Sequence, residues 1–198
     1  LDILSKKPEL YSMDPHNISE IIQTVVELGK FLQKDQKALE ITNSLKQRIQ
    51  NIKNLQNSTK PNVLAIEWLL PFFTAGHWVP EMIEIAGGIN LISKTGEHSR
   101  RMDINEIVQS DPDIIILMPC GFDTQRTISE YNTILKNNLG WNSLKAVQNK
   151  QVFAVNADSF FSKPSIRIID GLEILAKIIQ HGKFDDLIVA ENSFFHIS

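Results

Sequence analysis

Cysteine is almost absent from this chain: Cys120 is the only one in 198 residues. That excludes an internal disulfide and any metal cluster built on several thiolates, and it leaves the redox compartment open. No apolar run approaches the roughly 20 residues that cross a bilayer. The opening LDILSKKPELYSMDP has no continuous apolar segment of the kind a signal peptide carries. The chain starts at Leu1 rather than a methionine, which reads as a processed or truncated product. Basic residues are in no excess; the net charge of −3 gives no electrostatic reason to expect a nucleic acid. There is no internal repeat and no low-complexity tract. Also missing are HExxH, a glycine-rich phosphate loop, paired CxxC and a Ser-His-Asp order. No catalytic residue and no metal site is assigned, and the chain reads as a non-enzyme.

What remains is ordinary globular material, 42% hydrophobic and 22% charged, enough for one large domain or two unequal ones. Residues 1–13 hold a short strand or extended piece, ended by Asp14-Pro15. Asn17 is placed to cap a first helix, with Glu20 as its capping-box partner. Ile18, Ile21, Ile22, Val25 and Leu32 share one face of it. From residue 33 to about 57 the pattern stays helical with a narrow stripe of Ala38, Ile41, Leu45, Ile49, Ile52 and Leu55. Such a helix is a rod of about 35 Å that lies across a surface or bridges two bodies.

An α/β rhythm follows the break at residues 58–61. Strands are expected at 63–66, 113–118 and 151–155, the second as a continuous apolar run buried on both faces. Helices are expected at 80–86 (stopped by Gly87-Gly88), 103–110, 124–137 and from Pro164 onward. The fold class is therefore α/β, a parallel-sheet lobe with flanking helices and right-handed crossovers, plus the long helix.

Each strand feeds a loop of unusual composition. The first, residues 67–78, carries Glu67, Trp68, Phe72, Phe73, His77 and Trp78. The second is Pro119-Cys120-Gly121-Phe122, and the third, residues 156–164, carries Asp158, Ser159, Phe160, Phe161 and Ser162. In a parallel sheet these tips share the edge where ligands bind. Their convergence predicts a largely apolar small-molecule site with a few polar groups. Several positions have a second reading. Trp78 opens a helix and also reads as core, and one member of each pair Phe72-Phe73 and Phe160-Phe161 reads as structural. His77 is a metal or cofactor ligand or a hydrogen-bonding loop residue. Cys120 beside Gly121 resembles a nucleophile turn, although a small buried cysteine is commoner.

The segments EWLLPFFTAGHWVPEMIEIAGG, DPDIIILMPCGF and VFAVNADSFFSKPSIRIIDGLEILA, in that order within residues 62–181, resemble the cobalamin-binding subfamily of class III ABC-transporter substrate-binding proteins. The MPCGF and AGHW pieces are the more specific; the DPDIII strand is widely shared. One loop departs from the family's approximate EWLDPPF, with Leu70 and Phe72 in place of an acidic residue and a proline, which makes it more apolar.

That resemblance implies two α/β lobes joined by one long rigid helix, with the ligand between them. Residues 1–32 would be a remnant of the N-terminal lobe, most of which is missing. Residues 33–58 would be the connecting helix, 62–182 the C-terminal ligand-binding lobe, and 183–198 a tail. The implied function is the solute-binding component of an uptake system, with a corrinoid of the vitamin B12 type as cargo and a membrane ABC permease as partner. The implied location is extracytoplasmic, periplasmic or lipid-anchored, with no segment inserted in the membrane and no nucleic acid partner. The family's acidic permease-docking position falls on Glu106, with Asp103 as second choice. The alternative cargoes are a ferric siderophore or haem, and the alternative class is a cytoplasmic corrinoid-handling protein or enzyme. Siderophore chelates call for arginines, yet Arg100, Arg101, Arg126 and Arg167 all lie outside the three tips in sequence. Haem calls for an axial tyrosine or histidine, and only His77 is placed for it.

Overall fold

The run Ile114-Ile115-Ile116-Leu117 has no polar side to give to water, and the fold is built on both of its faces. The computed structural model describes residues 9–56 and 58–197. In chain order its elements are α1 (Ile18–Phe31), α2 (Asp35–Asn54), β1 (Asn62–Leu69), β2 (Phe72–Thr74), α3 (Val79–Ile85), β3 (Ile89–Asn90), α4 (Ile104–Ser110), β4 (Ile114–Leu117), α5 (Thr124–Ile134), α6 (Leu139–Asn142), α7 (Lys145–Gln148), β5 (Val152–Val155), α8 (Ala157–Phe160), α9 (Ile168–Ile179) and β6 (Phe194–His196). The short strand read in residues 1–13 falls largely outside the described residues, and residues 9–16 carry no regular secondary structure.

The sheet order is β2-β1-β4-β5-β6, with β3 also paired to β1. The pairs β1·β3, β1·β4 and β4·β5 are parallel, whereas the edge pairs β1·β2 and β5·β6 are antiparallel. Strand alternation divides the core in two. Val63, Ala65, Ile114, Ile116 and Met118 face α3 and α9, and through them α1 and α2. Leu64, Ile66, Ile115 and Leu117 face the side of α4 to α7, where Trp141 is fully buried. The ring of Phe72 stacks on Trp141 at 6.0 Å.

Asn17 caps α1 as expected, accepting from the Glu20 N–H at 2.9 Å. The Glu20 carboxylate accepts instead from the His16 N–H at 2.7 Å, one residue earlier than a capping box requires. The chain turns back after Leu32 through Gln33, whose φ is 56°. The long helix is therefore 20 residues, α2, or about 30 Å. Its buried residues Ala38, Thr42, Leu45, Ile49 and Ile52 lie against α1, α3 and α9.

Arg48 fixes that packing. Its Nε donates to Glu173 at 2.8 Å, and one terminal nitrogen donates to both Asp170 and Glu173 at 2.6 Å. The two carboxylates on α9 hold the guanidinium well above its ordinary pKa, the Glu173 hydrogen bond contributing most. Arg48→Ala is expected to cost about 1–2 kcal/mol, the value of charged hydrogen bonds discounted for partial exposure. Urea denaturation of this variant beside Arg48→Lys checks it, and the loss should shrink at high salt.

Several boundaries differ from the sequence reading. Strand β1 runs on through Glu67 and Trp68 to Leu69, then turns at the cis Leu70-Pro71 peptide into β2. What read as an aromatic loop is therefore a hairpin continued by a loop. Helix α5 stops at Ile134, and two short helices, α6 and α7, follow it. The helix expected from Pro164 begins at Ile168, after the separate turn of α8. The segment after Gly182 returns to the sheet, with β6 added to β5.

Candidate functional site

Three hydrogen bonds tie the strand tips together at the carboxyl edge of the sheet. Trp78 Nε1 donates to the Phe161 carbonyl at 3.0 Å, joining the first tip to the third. The Gly121 N–H donates to Ser162 Oγ at 3.0 Å, and the Asp158 N–H to the Phe122 carbonyl at 3.1 Å, joining the second to the third. Between them opens a cavity of about 170 Å³ lined by Glu67, Gly76, His77, Trp78, Val79, Met118, Cys120, Phe161 and Ser162. Its floor is the thioether of Met118 and the buried rings of Trp78 and Phe161. Its polar rim is the Glu67 carboxylate, the His77 imidazole, the Cys120 thiol and the Ser162 hydroxyl.

The other residues read from the sequence do not join them; in the first tip this is because neighbours in an extended chain point to opposite faces. Trp68, next to Glu67, turns to the other face and stands edge-on to Phe122 at 5.3 Å. Both line a second cavity of about 170 Å³ with Leu69, Leu70, Pro119, Glu130 and Ile134. Trp68 keeps 39% of its surface exposed, so it offers a ring to solvent at the mouth of the second cavity. Phe72 is a core residue on Trp141, and half-buried Phe73 bridges to Arg101 at the sheet edge. Phe160 faces Arg48 and α9, while Asp158 is ion-paired to Lys163 at 2.8 Å. Ser159 is half-buried, and its N–H donates to the Asn156 cap at 3.0 Å. Gly121 is exposed with φ of 75°, a conformation open to glycine that lets the tip turn. Cys120 is exposed rather than buried, because Pro119 and Gly121 carry it past the end of β4. Glu106 is engaged by Arg100, through contacts that include one of 3.1 Å.

His77 is held in the left-handed region, at φ of 54°, where a non-glycine residue needs support from its surroundings. Its N–H donates to the Glu97 carbonyl at 2.7 Å, and its carbonyl accepts from the Gly96 N–H at 2.9 Å. Gly76 permits this crossing, since a Cβ there would lie 2.5 Å from the Ser99 nitrogen and 2.7 Å from the Glu97 oxygen. Two histidines without any local sequence signal pack against His77. His16 and His98 bring their rings to 5.6 and 4.9 Å from that of His77. They pack face to face and edge to face. Among the described residues no group of three or more His, Cys, Asp or Glu side chains is arranged to hold a metal ion.

Burial holds the His77 imidazole below its ordinary pKa, and His98 and His16 add repulsion against the opposing pull of Glu67 and Asp14. The unfolded chain, titrating at the ordinary histidine value near 6.5, then binds more protons than the folded one as the pH falls. Stability should decline as pH drops from 7 through that value, until folded His77 is itself protonated. Urea midpoints between pH 8 and 5 should show this slope, and His77→Asn, which tolerates the backbone conformation, should flatten it.

The family model described as "Periplasmic binding protein" matches residues 2–158. The chain belongs to the periplasmic binding protein family. Among characterised members it is similar to the vitamin B12-binding protein of Vibrio cholerae, 24% identical in a 173-residue alignment that covers 83% of this chain and 57% of that one. It is also similar to the high-affinity heme uptake system protein IsdE of Staphylococcus aureus, 25% identical over 156 residues, 76% of this chain and 52% of that one. The chain thus spans just over half the length of these relatives.

Two solved structures establish the same fold for this family member. An ABC transporter substrate-binding protein from Listeria monocytogenes superposes with a TM-score of 0.76 at 20% identity, covering 85% of this chain and 67% of that one. S. aureus IsdE complexed with heme gives 0.75 at 21%, with the same coverage. In this periplasmic binding protein, no described helix is long and apolar enough to cross a membrane.

Proposed function

We propose that the chain forms one wall of the cargo site of an ABC-type solute-binding protein and that the cargo is a corrinoid, handed on to a membrane permease. The observation that carries this is the convergence of three interlocked strand tips on one open cavity with an apolar floor and a polar rim. At about 170 Å³ the cavity is well below the 300–1,000 Å³ that encloses a drug-sized ligand. It therefore serves as half of a cleft, with a facing lobe closing over a disc-shaped cargo. On this reading residues 62–182 form the ligand-binding lobe and residues 33–58 the rigid connection to residues 1–32 and the lobe they belong to. The similarity to a vitamin B12-binding protein and the AGHW and MPCGF segments support a corrinoid. Cargo of this class is taken up outside the cytoplasm.

Glu106 is proposed to dock on the permease. Because Arg100 already holds it, docking requires Glu106 to exchange that partner for one on the permease.

Haem is the second reading, supported by His77 on the cavity rim and by the likeness to a heme uptake protein. Titrating the full-length gene product with cyanocobalamin, haemin and a ferric hydroxamate separates the readings, with tryptophan fluorescence as the signal. Saturable quenching by cyanocobalamin alone, reduced in Trp68→Ala, is the expected result. A haemin Soret shift that His77→Asn removes would favour haem, and flat curves for all three would remove the ligand assignment.

A further inference from the structure

Arg126 lies outside the three tips in sequence but not in space. It sits in the first turn of α5, where its N–H donates to the Asp123 cap at 2.8 Å. Its guanidinium carbon is 3.6 Å from the centre of the Phe122 ring, the ring against which Trp68 stands. Trp68, Phe122 and Arg126 thus form a continuous strip along the carboxyl edge, ending in an exposed cation. Arg48 and Arg100 are each committed to carboxylates. Among the described residues Arg126 is paired with none, even though Glu130 lies one turn along the same helix. A guanidinium seated on an aromatic ring is held in place by the cation–π attraction, while its in-plane N–H donors stay free for a planar or tetrahedral anion. The positive end of the α5 dipole adds to the attraction.

We propose that Arg126 is the anion-recognition residue of the site. It takes a negatively charged substituent of the cargo while the apolar body of that cargo lies on Trp68 and the tips. This rests on the cargo reading given above. For a corrinoid the substituent is the phosphodiester of the nucleotide loop, and for a porphyrin it is a propionate.

The test crosses deletion of the residue with deletion of the anion. Calorimetric titration of the full-length gene product uses two ligand pairs, cyanocobalamin with dicyanocobinamide, which lacks the phosphate, and haemin with its dimethyl ester. In the pair that binds, Arg126→Gln should weaken the charged member on the order of tenfold, as expected for one charge-assisted hydrogen-bonding contact. The uncharged member should change by less than about twofold, and Arg126→Lys should fall between. Unchanged melting temperatures of the unliganded variants separate recognition from folding. Equal weakening of both members, or no weakening of either, overturns the Arg126 assignment and leaves the cargo reading intact. Failure of the wild-type protein to bind either pair overturns the cargo reading and the subsite with it.

Discussion

Trp78→Ala should lose about 3–5 kcal/mol of folding stability, the usual cost of removing a large buried aromatic. For a protein whose total stability is about 5–15 kcal/mol, that is a large share. The ring is 7% exposed and packed in the core beneath α3 and α9. Its indole N–H is also the partner of the Phe161 carbonyl, so truncation leaves that carbonyl unpaired at the lip of the cavity. Trp78→Phe isolates the second effect, since it keeps most of the apolar bulk and loses only the donor. It should cost about 1–3 kcal/mol and still loosen the third tip. Urea denaturation gives both values. Ligand titration should show weaker binding in Trp78→Phe than its stability loss alone would cause.

Gly171→Ala should be destabilising by about 1–3 kcal/mol, the range for overpacking, although alanine is the better helix former by about 1 kcal/mol. The position lies in α9 directly under the third tip. A Cβ there would come within 2.6 Å of the Phe160 carbonyl oxygen, 3.0 Å of the Phe161 ring and 3.1 Å of the Met82 methyl. Met82 can swing aside, but the Phe160 oxygen belongs to the backbone of the tip. The strain therefore falls on the segment that carries Phe161 and Ser162 into the cavity. Both stability and ligand affinity should drop, and crystallography should find the 157–162 turn displaced. An alanine variant as stable as the parent would show that α9 does not support the site.

These two substitutions lie at the junction between what sequence patterns specify and what they do not. The run at residues 114–117 announced a strand buried on both faces. Asn17, Asp103 and Asp123 are side-chain caps in the fold, and the three helices they start are legible in the sequence. The single-turn helices α6 and α8, capped by Asn138 and Asn156, are too short to show a period and read as turn and loop. The three tips and their shared edge followed from the α/β order. What composition does not convey is facing. Strand β1 runs on past Ile66 to Leu69, so the alternation of the strand puts Glu67 in one cavity and Trp68 in the other, and seven aromatics that read as one cluster divide between two faces and the core. Met118 continues the alternation of Ile114 and Ile116, a signal present in the strand yet masked by its position beside Pro119. His16 and His98 reach His77 from segments about 60 residues before and about 20 after it, as the numbering shows. No local pattern marks such a meeting. The stacking of Arg126 on Phe122 spans a single helical turn, but it depends on how the chain leaves β4.

Cys120 offers the most direct test that cargo occupies this cavity. It is exposed, lines the cavity wall and is the chain's single cysteine. The rate of its alkylation by iodoacetamide, followed by mass spectrometry of the Cys120 peptide, can be measured with and without saturating cyanocobalamin. Cargo bound across the three tips should protect the thiol and slow the reaction by more than about tenfold, as expected for a nucleophile cut off from reagent. Saturable binding of cyanocobalamin with an unchanged Cys120 rate would contradict a cargo site at this edge of the sheet.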